Sequence, residues 1–135
     1  MLMGMPLPPA VRQLFEGKNF AHVATLMKDG SPQVTLVWID IDGDRIIVNT
    51  AEGRAKPRNV RRDPRVAISI ADQQSPYHAA FIRGRVVEIT REGAEDHIDK
   101  MAKKYMGADR YMDHSPDRPR VLLYIEADHV REMGG

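Results

Sequence analysis

The chain has 135 residues, enough for one domain built around one core. Its 20 Lys and Arg against 19 Asp and Glu leave a net charge of only +1, too balanced for wholesale nucleic-acid binding. Cysteine is absent, which excludes disulfides, thiolate metal sites and Cys nucleophiles, and fits the cytoplasm. No apolar run is long enough to expect a membrane span. The start, Met1 to Pro6, lacks the basic and apolar regions of a secretory signal, so none is expected.

Taken in chain order, Pro8 to Gly17 predicts a short helix, with proline at its start, glycine at its end and Val11, Leu14 and Phe15 on one face. Phe20 to Met27 predicts a strand, Lys28 to Ser31 an Asp-Gly hairpin turn, and Pro32 to Ile41 the returning strand. Asp42-Gly43-Asp44 turns the chain into a third strand, Ile46 to Thr50. Val66 to Ala71 is the fourth strand, and Tyr77 to Thr90 a long fifth one with Gly84 marking a bulge or bend. A helix is expected from Arg91-Glu92-Gly93 to about Met106, with Ile98, Met101, Ala102 and Tyr105 on one face. After a polar loop from Gly107 to Pro119, Arg120 to Glu126 is the sixth strand and Asp128 to Met133 a short last one. Six or seven mainly antiparallel strands with few helices predict a mainly β fold, a closed or nearly closed barrel.

The charge is local where the net charge hides it. Between Arg54 and Arg65 lie six basic residues and one acid, Asp63, wedged between two strands. On pattern alone this is a solvated helix or an anion site. Its position favours the second. Thr50 closes a strand and offers a hydroxyl. Arg54 and Lys56 follow, Pro57 suits the first helical position, and Asn59 lies one turn on. At a helix start these groups can converge on one phosphate. Arg61, Arg62 and Arg65 reach farther acidic groups or are solvated.

Other chemistry is missing. His22, His78, His97, His114 and His129 lack metal-ligand spacing. There is no P-loop, nucleophile elbow or dinucleotide fingerprint. Glu92, Glu95, Asp96 and Asp99 read as a solvated helix face. No catalytic side chain and no metal ligand is assigned.

The ordered set Asp29-Gly30-x-Pro32-Gln33, Asp42-Gly43, Thr50-(x)3-Arg54-x-Lys56-x-x-Asn59 and Asp63-Pro64-Arg65-Val66 resembles the pyridoxamine-5′-phosphate-oxidase-like split β-barrel flavoproteins. Lys104-Tyr105-Met106-Gly107 and Arg120 to Ile125 extend the resemblance, which is closest to the branch using the deazaflavin F420. It implies a homodimer with cofactor sites between the subunits. The ring would lie along Gln33, Val34, Thr35, Val37 and Trp38. Arg54 and Lys56, with Ala55 between them, would hold the phosphate, supported by Asn49, Thr50 and Asn59. Tyr77 would reach the cofactor from the partner subunit. On residue chemistry alone, Trp38 is equally a pocket wall or a core aromatic. Tyr77 and Gln33 are equally ordinary strand residues. Arg58, Arg61 and Arg62 would suit an acidic polyglutamate tail. The substrate contacts of true pyridoxamine phosphate oxidases have no match.

The expectation is therefore an F420-dependent reductase passing a hydride to a small electron-poor organic substrate. The alternatives are an FMN-dependent reductase or oxidase of the same fold, and a non-enzymatic binder of a cofactor or haem. A nucleic-acid module lacks the exposed interleaved aromatics for base stacking.

Overall fold

The structure is a computed structural model, and residues 4–134 are described. Helix α1 is Pro9–Glu16, stopped by Gly17. Strands β1, Ala21–Leu26, and β2, Pro32–Val37, form the expected hairpin, with Gly30 at φ 87° in its turn. A three-residue β3, Asp40–Asp42, and β4, Arg45–Ala51, form a second hairpin. Helix α2, Ala55–Arg62, leads to β5, Arg65–Ala71, and β6, Ala79–Thr90. Helix α3, Ala94–Met106, precedes β7, Arg120–Met133. Every strand pairing is antiparallel, in the order β2-β1-β5-β6-β7-β4-β3.

Four expectations on the elements need correction. First, the run Pro32 to Ile41 is not one strand. β2 and β3 lie at opposite ends of the sheet order, joined only by Trp38 and Ile39. Val37 and Asp40 are three Cα–Cα steps apart, so these ends approach within ~11 Å. That curls the sheet into a barrel, split where β2 and β3 do not pair. Second, the last two strands are one. Arg83 pairs with His129 but Gly84 with Ala127, so Asp128 bulges and the strand continues. Gly84 permits this, because a Cβ there would collide with the Glu126 carbonyl. Third, Tyr77 lies in a turn before β6, not in the strand. Fourth, α2 starts at Ala55, so Pro57 is its third residue.

Strand alternation places Val23, Val66, Ile68, Ile70 and Ile82 inside with Val11, Leu14 and Phe15 of α1. Helix α3 clamps the split. Tyr105 Oη donates to the Asn19 carbonyl at 2.7 Å and accepts from the Ile39 N–H at 3.1 Å. Lys104 Nζ donates to the Phe15 and Ile39 carbonyls at 2.9 and 3.1 Å. Burial drives the Lys104 ammonium pKa down and the Tyr105 phenol pKa up. The Lys104-Tyr105 pair thus has a structural use: it satisfies the backbone where the chain crosses between the sheet ends.

Candidate cofactor site

The cationic corner is built by the turn into α2. Gly53 takes φ 86°, and Arg54, extended, occupies the N-cap position without a side-chain cap. Pro57 still fits, since N–H groups in the first turn have no helical partner to lose. Lys56 reaches from the first turn to β2, donating from Nζ to Thr35 Oγ1 at 2.7 Å. It is half-buried and makes no ion pair among the described residues. Burial, then the neighbouring Arg54 charge, holds its pKa below the ordinary lysine value. Arg54 is exposed and likewise makes no side-chain ion pair among the described residues.

One turn on, Asn59 is buried. Its Nδ2 donates to Thr25 Oγ1 at 3.0 Å and lies 3.4 Å from Gln33 Oε1. This amide ties α2 to the β1–β2 hairpin and thereby fixes where Lys56 emerges. Arg58 is exposed, and the other three cations are engaged elsewhere. Arg61 pairs with Glu52 at 2.8 Å and Arg65 with Asp63 at 2.7 Å. Arg62 approaches the Leu26 carbonyl at 3.4 Å.

Beside this corner, Phe20, Leu36, Val37, Trp38, Tyr111 and Arg120 line most of a cleft of about 290 Å³ that also includes Arg54. Trp38 stacks on Tyr105 at 5.4 Å between ring centroids, 4° from parallel, and meets Tyr111 edge-on at 6.1 Å. Trp38 is thus both a packed aromatic and a cleft wall. Tyr111 comes from the polar loop before β7, whose sequence is open to either a cleft cover or a connector. That loop is held to α3 by His114, whose Nδ1 and Nε2 lie 2.7 Å from Glu95 and 2.6 Å from Asp99.

Strand alternation divides the sequence-predicted residues. Gln33, Thr35 and Val37 point to the side of α2, where Gln33 and Thr35 meet Asn59 and Lys56. Val34 points to the opposite face and is 60% exposed. Thr50 is buried in β4, and Ala55 is the first residue of α2. Asn49 turns toward α3: its Nδ2 donates to the Ala94 carbonyl at 2.9 Å, and its Oδ1 accepts from Arg120 Nε at 2.8 Å. Tyr77, 83% exposed, is not brought to the α2 corner within this chain. Sequence reasoning missed Arg120 as a cleft residue, because it reads as the start of an apolar strand.

A larger concavity of about 660 Å³ lies away from these cations. It is the outward face of β2, β1, β5, β6 and β7, lined by His22, Val34, Ala67, Phe81, His129 and Arg131 among others.

The profile of the family described as pyridoxamine 5'-phosphate oxidase matches residues 7–134. The chain belongs to this family. Among solved structures of similar fold, a protein named F420 reductase is 28% identical, with a TM-score of 0.80, covering 93% of this chain and 98% of its own. A pyridoxamine 5'-phosphate oxidase-type protein from Listeria innocua shares the fold at 19% identity and a TM-score of 0.67, over 93% and 94% of the two chains. A conserved hypothetical protein from Mycobacterium tuberculosis does so at 21% and 0.69, over 98% and 88%. The split β-barrel and the flavin-type family are thereby established. Among the described residues, no helix is long and apolar enough to cross a membrane.

Proposed function

We propose that this chain is an F420-dependent reductase acting on a small electron-poor organic substrate. The observation that carries the reading is the α2 corner. Among the described residues, Lys56 and Arg54 stand beside each other with no carboxylate partner, at the flank of a strand whose outer edge is unpaired. Two adjacent cations raise each other's cost and are relieved by an anion, as a cofactor phosphate would relieve them. The free backbone edge of β2 offers N–H and C=O groups to a ring with carbonyls and nitrogens. The likeness to the F420 reductase favours the deazaflavin over FMN. Reduced F420, when bound, supplies the hydride. The protein's part is to hold the phosphate on Arg54 and Lys56, line the ring with Gln33, Thr35, Val37 and Trp38, and keep water from the aromatic cleft. Asn59 positions α2 for this, and Arg58 remains available to an acidic tail.

The same reading includes a homodimer. The outward trough, with Val34 60% exposed and Phe81 40% exposed, gives a second copy a face to cover. Tyr77, exposed at the end of that layer, would then reach the partner's cofactor. The lack of cysteine suits a reducing cytoplasm. The test is a side-by-side fluorescence titration of the apo-protein with F420 and FMN, with light scattering for mass. Micromolar or tighter F420 binding by a dimer, with little FMN bound, supports the proposal. Preference for FMN moves the protein to the flavin branch, and binding of neither removes the function.

A further inference from the structure

Besides Arg54, the cleft lining includes a cation that the phosphate reading does not use. Arg120 is 5% exposed, yet its guanidinium has no carboxylate partner among the described residues. Its Nε donates to Asn49 Oδ1 at 2.8 Å and its Nη2 to the Asn49 carbonyl at 3.3 Å. Its Cζ stands 5.1 Å from the centre of the Tyr111 ring. Glu95 touches Arg120 only through the backbone, accepting its N–H at 2.6 Å. The guanidinium thus bonds Asn49 and the Tyr111 side chain, in the wall of a cleft, with the charges of Glu95 and Arg54 acting on it from nearby.

A chain of hydrogen bonds fixes it from behind. Arg120 Nε can only donate, so Asn49 must present Oδ1 to it. The amide Nδ2 then faces the Ala94 carbonyl and, at 3.1 Å, His97 Nδ1. His97 Nδ1 accepts, so its Nε2–H donates to Asp40 Oδ2 at 2.9 Å. The carboxylate that answers this chain is two side chains away from the charge it orients. Burial disfavours the Arg120 charge, the Glu95 carboxylate offsets it without bonding the guanidinium, and an anion entering the cleft would offset it further.

We propose that Arg120 is an anion-binding residue of the Trp38–Tyr111 cleft, receiving the acidic group of a planar aromatic ligand. The ligand class is an aromatic or conjugated acid: the flat walls of Trp38 and Tyr111 take the ring, and the guanidinium takes the carboxylate or phenolate. The inference deepens the proposed function and rests on it only for the source of the acid, substrate or cofactor.

The probes are 2-naphthoate and 2-naphthamide, alike in shape and different in charge, titrated by calorimetry into the full-length apo-protein. Wild type is expected to bind the acid at least about tenfold tighter than the amide, the scale of one charged hydrogen bond. Arg120→Gln erases that ratio, and Arg120→Lys keeps part of it. F420 affinity unchanged in Arg120→Gln assigns the acid to the substrate, and a parallel tenfold loss assigns it to the cofactor. Equal binding of both probes by wild type overturns the proposal without any variant. A ratio that survives in Arg120→Gln overturns it too, since Arg54 and Lys56 would then hold the acid. A merely structural Arg120 would lower the melting temperature and leave the ratio alone. A failure of F420 to bind would not obscure the probe ratio, so the two readings fail separately.

Discussion

The two halves of the basic segment carry three cations each and meet different fates. In the second half, Arg61 is paired with Glu52, Arg62 lies on a backbone carbonyl and Arg65 is paired with Asp63. In the first half, Arg54 and Lys56 have no carboxylate partner among the described residues, and Lys56 is half-buried against Thr35. A charge run read from sequence is one feature. In the fold it is two, because only its N-terminal end faces the cleft and the edge strand. Cations already neutralised have little left to offer a ligand, whereas unneutralised ones repel each other until an anion arrives.

The sharpest way to break this comparison is to remove cations from each half. Arg54→Ala and Lys56→Ala are each expected to weaken F420 binding by roughly 1.5–3 kcal/mol, the range for charged hydrogen bonds. Arg61→Ala is expected to leave binding within about 0.5 kcal/mol of wild type, as for a surface position. Equal losses from both halves in calorimetric titrations would dissolve the distinction. Lys56→Met sharpens it further. If the half-buried ammonium is held for a ligand, its removal should not lower the thermal midpoint of the apo-protein, although binding collapses.

Next in size is Asn59. It is in the basic segment but is not a charge, and its buried amide joins α2 to Thr25. Asn59→Ala leaves the buried Thr25 hydroxyl without this donor and is expected to cost roughly 1–3 kcal/mol of stability. Denaturant melts would show it, and F420 binding would fall only as far as α2 loosens. A large binding loss at unchanged stability would instead make Asn59 a direct ligand contact.

A smaller effect separates this corner from the opposite wall of the cleft. His114 has one ring nitrogen on Asp99 and the other on Glu95, so holding both as donor bonds requires imidazolium. The Asp99 bond, then the Glu95 bond, raise its pKa. A raised folded value means its contribution is complete below the unfolded value of about 6.5 and lost as pH rises through the folded one. The pKa values of Asp99 and Glu95 are lowered, Asp99 mainly by His114 and Glu95 mainly by the Arg120 N–H. Their contributions hold above the ordinary carboxylate range and fade as pH falls through the lowered values. The loop carrying Tyr111 is therefore held best between those limits. Emission of Trp38, the chain's one tryptophan, should report Tyr111 moving as pH rises, and His114→Gln should abolish that response. An unchanged pH profile in the variant would assign the response to another group.

Much of this was legible from residues alone. The Asp-Gly turns, the helix at Pro9 and the bulge at Gly84 all carry local signals, and the barrel follows from the strand count. The cationic corner was legible because a charge run between two strands has few places to go. The break at Trp38 was not, since Val37-Trp38-Ile39 reads as one extended apolar run whichever sheet edge it joins. The split of Gln33, Thr35 and Val37 from Val34 was implicit in period-two alternation, but which face met α2 depended on Asn59 finding Thr25. Arg120 stayed hidden for a further reason: its partner Asn49 lies 71 residues away in sequence, and Asn49 is in turn bonded by His97 of α3. No local pattern marks a charge oriented through such distant groups.

The smallest expected effect is the most direct check on the paired half. Arg65 Nη2 lies 2.7 Å from Asp63 Oδ2, both at the exit of α2, and the bond lowers the Asp63 pKa to about 2. The carboxylate also accepts the Arg65 backbone N–H at 3.2 Å, so it helps to shape the turn into β5. Both groups are open to solvent, which screens the ion pair, so it adds little to stability. Arg65→Ala should therefore shift the thermal midpoint barely, leave F420 affinity unchanged and show little salt dependence relative to wild type. Asp63→Ala should cost somewhat more than Arg65→Ala, because it also removes the acceptor for the backbone N–H. If Asp63→Ala instead tightened F420 binding, a freed Arg65 would be reaching the ligand. The boundary between the two halves would then be set by the acid beside each cation, and not by distance from the cleft.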